Sequence, residues 1–358
     1  MNLDSIPNNW LKQFPQPLFI AGPCSAESEQ QMLETASRIK NSAVEIPIFR
    51  AGIWKPRTKP NGFEGVGTIG LEWLKKVKEE FGFLTATEVA NAHHVDAVLK
   101  ADVDILWIGA RSTVNPFTVQ EIAESLKGSN KIVLVKNPVN PDLALWAGAL
   151  ERLLAQGIEN LGVIHRGFSS YQKTQYRNIP NWQLALDFKQ QYPNIPILVD
   201  PSHICGNRNT LANVAQTALN VDYNGVMIES HCNPDKAWSD AQQQITPEEL
   251  DLLLQNLKLR KTQISGFDEE MERQRTLISD LDFQLIEILS QRMKISEKIG
   301  ELKHKNNVMI FQPERWKFIQ QYAKEKANET GMTQEFIEKI FKTIHEESVE
   351  VQNHIMKD

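Results

Sequence analysis

The chain has 358 residues, 41% of them hydrophobic and 23% charged, an ordinary balance for a globular protein longer than one small domain. Its formal net charge of -6 excludes nucleic acid as a bulk partner. Three cysteines, Cys24, Cys205 and Cys232, make no even disulfide framework, and no apolar run is long enough to span a bilayer. Met1 to Trp10 shows no basic-then-apolar signal, so the expectation is a cytoplasmic protein with no membrane partner.

From Pro17 to about Glu229, short apolar runs alternate with longer amphipathic stretches. The runs are Leu18–Ala21, Ile46–Phe49, Phe83–Ala86, Ile105–Ile108, Ile132–Val135, Leu161–Ile164, Ile197–Val199 and Val226–Ile228. Continuous rather than alternating apolar character marks strands buried on both faces. The stretches between them read as helices, for example Gln30 to Ser42 and Leu71 to Phe81. This repeat predicts an α/β fold, a closed (β/α)8 TIM barrel. An open doubly wound sheet is the alternative, but no G-x-G-x-x-G follows the first run.

Polar or ionisable residues follow every run. In a barrel those strand ends converge on one face, where active sites lie. The second run leads into Phe49-Arg50-Ala51-Gly52-Ile53-Trp54-Lys55-Pro56-Arg57-Thr58, which sets three cations on one loop stiffened by Pro56. Arg50 and Arg57 can each grip a phosphate or carboxylate through two parallel hydrogen bonds, and Lys55 adds a point charge. Cys24, His203 and Glu229 fall at the ends of runs one, seven and eight, which adjoin when a barrel closes. With Asp240 they form a thiolate, imidazole and carboxylate set suited to one borderline divalent ion such as Mn, Fe, Co or Zn. His231 is a competing ligand.

The last barrel helix is expected over Pro247 to Leu259, with Thr246, Glu248 and Glu249 at its start. Lys261 to Asp268 loses periodicity and reads as a linker, dividing the chain into 1–262 and 263–358. Beyond it Gly and Pro almost vanish, and Leu281, Leu285, Ile288, Leu289, Ile295 and Ile299 recur at helical spacing. Three helices are predicted: Glu269 to Lys305, Gln312 to Glu329 with Pro313 in its first turn, and Thr333 to Met356. So thin an all-α domain predicts a homodimer or higher homo-oligomer formed through it.

The order A-G-P-C-S, K-P-R-T, I-G-A-R, V-K-N, H-R-G, D-P-S-H and I-E-S-H resembles the 3-deoxy-D-arabino-heptulosonate-7-phosphate (DAHP) synthases over roughly Pro17 to Leu257. The nearest branch is the type I enzymes that resemble 3-deoxy-octulosonate-8-phosphate synthase. The resemblance implies a metal-dependent condensation of phosphoenolpyruvate with erythrose 4-phosphate that releases phosphate. It implies Cys24, His203, Glu229 and Asp240 as metal ligands, with Cys24 and His203 beside the reacting atoms. Arg50, Lys55, Arg111, Lys136 and Arg166 match the phosphoenolpyruvate contacts, and Arg57 and Thr58 the erythrose 4-phosphate contacts. Pro56 stands where the octulosonate enzymes usually carry Asn, which favours the four-carbon aldose. Two phosphorylated substrates and a carboxylate require several fixed cations in one site, as found here. Lys55 is further expected to protonate the developing alkoxide.

In the tail, R-T-L-I-S-D-L-D, Q-R-M-K-I, E-L-K, P-E-R and E-E-S-V-E-V-Q resemble an all-helical chorismate mutase over nearly all of Glu269 to Met356. That family forms intertwined dimers whose sites borrow an Arg from the partner, and Arg275 matches the borrowed residue. Arg292, Lys303, Arg315, Ser348 and Gln352 match the other contacts to chorismate, with Lys303 and Gln352 at the ether oxygen. Gln312 and Trp316 depart from the usual Asp and Glu that hold the substrate hydroxyl. The rearrangement needs no cofactor, only clamped carboxylates and stabilised charge. The expectation is a bifunctional enzyme of the shikimate pathway with regulatory coupling between domains. The alternative makes the tail a chorismate- or prephenate-binding module that controls the barrel. A catalytically dead scaffold would require lost metal ligands, and all four are present.

Overall fold

In the computed structural model, residues 3, 6, 9–55, 62–171, 174–260 and 268–356 are described. The expected substrate contacts Arg57 and Thr58, with Pro56, lie outside them, as does most of the expected linker. The chain forms two compact units, Met1–Thr262 and Gln263–Asp358.

Eight parallel strands close the first unit into a barrel: β1 Leu18–Gly22, β2 Ile48–Arg50, β3 Leu84–Val89, β4 Ile105–Ile108, β5 Ile132–Lys136, β6 Leu161–His165, β7 Ile197–Val199 and β8 Gly225–Glu229. Pairing of β1 with β8, Gly22 opposite Glu229, completes the ring. Helices alternate with the strands: α1 Glu29–Lys40, α2 Ile69–Phe81, α3 Ala92–Lys100, α4 Ala110–Thr113, α5 Pro116–Ser125, α6 Leu143–Ala155, α7 Trp182–Gln191, α8 Pro201–Cys205, α9 Leu211–Asn220 and α10 Pro247–Gln255. Local caps set their starts. Ser28 accepts from the Gln31 amide, and Thr246 and Glu249 form a reciprocal capping box on α10.

Strand side chains alternate between the barrel lumen and the helix layer. Leu18, Ile20, Ile48, Ala86, Ile105, Trp107, Ile132, Leu134, Ile164, Leu198 and Met227 fill the lumen. Phe19, Ala21, Phe49, Leu106, Val133, Val163, Ile197 and Val226 pack outward under the helices. A 3-10 turn at Asn9–Gln13 closes the N-terminal end of the barrel: Trp10 and Phe14 join the lumen cluster, and Trp10 Nε1 donates to Leu161 O at 2.9 Å. The opposite end is left for polar residues.

The second unit contains α11 Asp268–Lys305, α12 Pro313–Thr330 and α13 Gln334–Ile355. α13 packs against both others. Pro313 sits in the first turn of α12, and Gly331 ends it in the left-handed region. The 38 residues of α11 extend about 57 Å. Its first half has little to pack against: Leu277, Ile278, Leu281, Phe283, Leu285, Ile286 and Ile288 are all at least half exposed. Among the described residues no helix is long and apolar enough to cross a membrane.

Candidate active sites

The lumen-facing register continues to the C-terminal mouth, where it delivers charges. Arg50, Lys136 and Glu229 end their strands, Arg166 and Asp200 lie one position beyond theirs, and Glu88 precedes the last residue of β3. Gly109 lets Glu88 fold across the neighbouring tip, because a Cβ there would meet Glu88 Oε1 at 2.2 Å. Beneath these charges lies Trp107. The Arg50 guanidinium sits 4.7 Å from its ring centre and the Lys136 ammonium 5.7 Å. Trp107 Nε1 donates to Glu88 Oε2 at 3.0 Å, which fixes the indole plane. Two buried cations therefore share one aromatic floor.

Ion pairs hold this layer. Arg50 Nη1 is 3.1 Å from Glu229 Oε1, and Arg50 Nη2 donates to Cys24 O at 3.1 Å. Arg50 Nε is buried without a hydrogen-bond partner among the described residues. Lys136 Nζ is 2.8 Å from Asp200 Oδ2. Asp200 also accepts the His203 amide at 3.0 Å, capping α8, and its Oδ2 lies 2.8 Å from His203 Nδ1. Burial raises the Asp200 carboxyl, but His203 and Lys136 outweigh it and hold it well below the usual range. Burial, then Arg177 and Arg111, bring Arg166 down to about 10, against the pull of Asp200. Three guanidiniums thus crowd one side of the mouth, an arrangement that invites an anion.

The four expected metal ligands share this mouth. Cys24 Sγ lies 3.4 Å from Asp240 Oδ2, and His203 Nδ1 lies 3.8 Å from Glu229 Oε1. Among the described residues, however, no three such donors are grouped closely enough to hold an ion as they stand. Cations and amides occupy them instead. Lys55 Nζ donates to Cys24 Sγ at 2.9 Å, Arg177 Nη1 to Asp240 Oδ1 at 2.9 Å, and Gln243 Nε2 to Glu229 Oε2 at 2.7 Å. Burial and then Glu229 push the Cys24 thiol up to about 12, while Lys55 opposes them. Burial works against the Lys55 ammonium too, but Cys24 and Glu229 outweigh it and raise its pKa. Burial favours the neutral thiol beside an ammonium. His231 points elsewhere, toward Glu27 at 3.4 Å, and does not join the set.

Of the other expected contacts, Arg111 lies exposed in α4 at the rim. His165 shows the limit of reading strand ends as a mouth. It faces outward, with Tyr223 Oη at 3.0 Å, Pro180 O at 2.6 Å and Trp182 edge-on. Sequence reasoning placed Thr87, Glu88 and Asp200 after their runs without giving them a role, and passed over Trp107, Arg177 and Gln243. Counting lumen-facing positions two residues apart along each strand would have shown that Trp107, Glu88 and Asp200 face the lumen.

In the helical unit, Arg292, Lys303, Arg315, Ser348 and Gln352 line one cavity of about 360 Å³. Arg292 Nη1 donates to Ser348 Oγ, and Lys303 Nζ donates to Gln352 Oε1 at 3.0 Å and to Ile310 O at 2.6 Å. Burial lowers the pKa of both cations, and Arg315 lowers that of Arg292 further. The space suits a compact dianion. Arg275 does not line it: it is exposed, paired with Glu272 at 2.6 Å, and about 25 Å from Arg292 along the helix. Gln312 and Trp316 do line it, and Trp316 stacks on His345 at 4.2 Å.

Comparison with known proteins gives the family of each unit. The DAHP synthetase I family model matches residues 14–265, and the chorismate mutase type II model matches residues 274–353. The chain is 31% identical over 239 residues to a phospho-2-dehydro-3-deoxyheptonate aldolase of Thermotoga maritima, covering 67% of this chain and 68% of that one. It is 30% identical over 265 residues to a 2-dehydro-3-deoxyphosphooctonate aldolase of Legionella pneumophila, covering 68% and 91%. A crystal structure of the Thermotoga maritima DAHP synthase superposes with a TM-score of 0.60 at 29% identity, covering 67% of each chain. The chain belongs to the DAHP synthetase I family and carries a chorismate mutase type II domain behind its barrel.

Proposed function

We propose that the barrel condenses phosphoenolpyruvate with erythrose 4-phosphate and that the helical domain converts chorismate to prephenate. The observation that carries the first half is the pairing of Arg50 and Lys136 over Trp107 beside Cys24, His203, Glu229 and Asp240. In the condensation, the alkene C3 of phosphoenolpyruvate bonds to the aldehyde carbon, water adds at C2, and the C–O bond to phosphate breaks. Arg50, Lys136, Arg166 and Arg111 hold the phosphate and carboxylate of phosphoenolpyruvate. Arg57 and Thr58 receive the aldose phosphate. Lys55, charged and half-buried at the mouth, donates a proton to the developing alkoxide.

The donor chemistry at the mouth fits one divalent ion. The four donors sit at one mouth as two pairs, Cys24 with Asp240 and His203 with Glu229, which a bound ion would have to draw together. The ammonium of Lys55 and the guanidinium of Arg177 already place positive charge against Cys24 and Asp240. Cys24, His203, Glu229 and Asp240 would hold the ion, Mn, Fe, Co or Zn, with the thiol deprotonated. Such an ion would supply Lewis-acid polarisation of an oxygen at the reacting centre.

The clustered cations of the second cavity support catalysis there. Arg292 and Arg315 clamp the carboxylates of chorismate, and Lys303 and Gln352 donate to the ether oxygen. Arg275 completes the site from a second copy, whose docking covers the exposed apolar half of α11. The departures at Gln312 and Trp316 favour a second reading, a regulatory module that binds chorismate or prephenate and controls the barrel. Phosphate release with erythrose 4-phosphate and with arabinose 5-phosphate tests the substrate choice. A preference for the five-carbon aldose, or no release with either, contradicts the proposal. Chorismate decay on the full chain separates a mutase from a sensor.

A further inference from the structure

The mutase cavity carries three cations, and its acceptors are neutral: the oxygens of Ser348 and Gln352 are taken by Arg292 and Lys303, which leaves Ser296, Gln312 and an imidazole. Arg292, Lys303 and Arg315 line it, and among the described lining residues there is no carboxylate. Chorismate brings two carboxylates and an ether oxygen that those donors satisfy, but it also brings a ring hydroxyl, whose hydrogen needs an acceptor. His345 stands in the wall of the same cavity. Its ring is stacked on Trp316 at 4.2 Å and 15° and flanked by Phe311 at 6.0 Å. Among the described residues it has no hydrogen-bond partner. It is half-buried on α13, one turn before Ser348. Two aromatic side chains thus hold an imidazole in a fixed orientation with its nitrogens uncommitted.

We propose that His345, oriented by Trp316, accepts the hydroxyl hydrogen of bound chorismate and determines how the site recognises that group. This rests on the mutase reading of the cavity. The charges around His345 keep it in the accepting form. Burial, then Arg292 and Lys303 of α11, lower its pKa, and only Glu346 of its own helix acts the other way. Arg315, on the same helix as Trp316, adds a further positive charge at the cavity wall. A neutral imidazole also spares the substrate a carboxylate close to its own two, which an acidic acceptor would impose. The aromatic pair therefore supplies acceptance without added negative charge.

The test compares chorismate with an analogue carrying hydrogen in place of the ring hydroxyl, as kcat and KM on the full chain. Wild type should favour chorismate in kcat/KM by about 10-fold, the value of one good hydrogen bond. His345→Phe keeps the stack and removes the acceptor, so its preference should fall to near one. His345→Gln, which restores an acceptor, should recover part of it. Helical circular dichroism of each variant guards against misfolding. A preference retained in His345→Phe, or equal loss on both substrates, overturns the proposal. Wild type inactive on both substrates instead removes the mutase reading on which it stands.

Discussion

The guanidinium of Arg50 and the indole of Trp107 lie 4.7 Å apart, both buried at the top of the barrel lumen, with Lys136 on the same ring. Both cations are almost fully buried, so the ring beneath them sets the height at which they meet an anion. A desolvated cation–aromatic contact is worth about 2 kcal/mol. Trp107→Leu should therefore raise KM for phosphoenolpyruvate by roughly 30-fold with a smaller change in kcat. Steady-state kinetics on a variant whose thermal midpoint has been checked decides the matter. An unchanged KM would reduce Trp107 to lumen filler.

Lys55 touches the Cys24 sulfur at 2.9 Å, so the proposed proton donor also contacts an expected metal ligand, and turnover and metal uptake must be read apart. Lys55→Met should cut condensation turnover by about 100-fold or more while metal uptake changes little. Turnover and metal stoichiometry are measured on the same sample. Surviving turnover would refute the assignment.

Lys303 bridges Gln352 and Ile310 O within the second unit. Lys303→Ala should abolish chorismate decay and leave condensation intact, since a donor aimed at developing charge contributes about 3–4 kcal/mol. Loss of both activities would point to damage of the fold.

His165 gives a pH signature of the barrel. Burial lowers its pKa to about 4, against an ordinary 6.5. Between those values the unfolded chain binds a proton that the native chain refuses, so stability rises with pH. Its contribution is complete above about 6.5 and is lost as pH falls toward 4, a total of about 3 kcal/mol. Urea unfolding of the barrel across this window should show a steeper pH dependence for wild type than for His165→Asn. Equal slopes would mean that the imidazole titrates normally.

How much of this was legible follows from what each level of structure encodes. The strands stand out because a parallel barrel buries both of their faces, and that writes runs such as Ile105–Ile108 and Ile132–Lys136 directly into the sequence. The cations at strand ends stand out because little else explains charge after an apolar run. The lumen phase does not stand out, since both faces are apolar. His165 therefore reads as a mouth residue although it faces Tyr223, and Trp107 reads as core although it is the floor of the site. Thr87 and Glu88, expected beyond the third run, belong to β3 itself. The plug formed by Trp10 left no periodic signal, because a 3-10 turn of five residues is too short to show one. The pairing of Trp316 with His345 crosses from α12 to α13 and is visible only in three dimensions.

On the proposed reading one chain carries two independent chemistries, the first through an ion that Cys24, His203, Glu229 and Asp240 would hold. The most direct measurement follows phosphate release and chorismate decay on one preparation, before chelation, after it, and after a divalent metal is restored. Condensation should stop and return while chorismate decay continues throughout. Condensation that persists without metal, or decay that stops with it, would contradict the account.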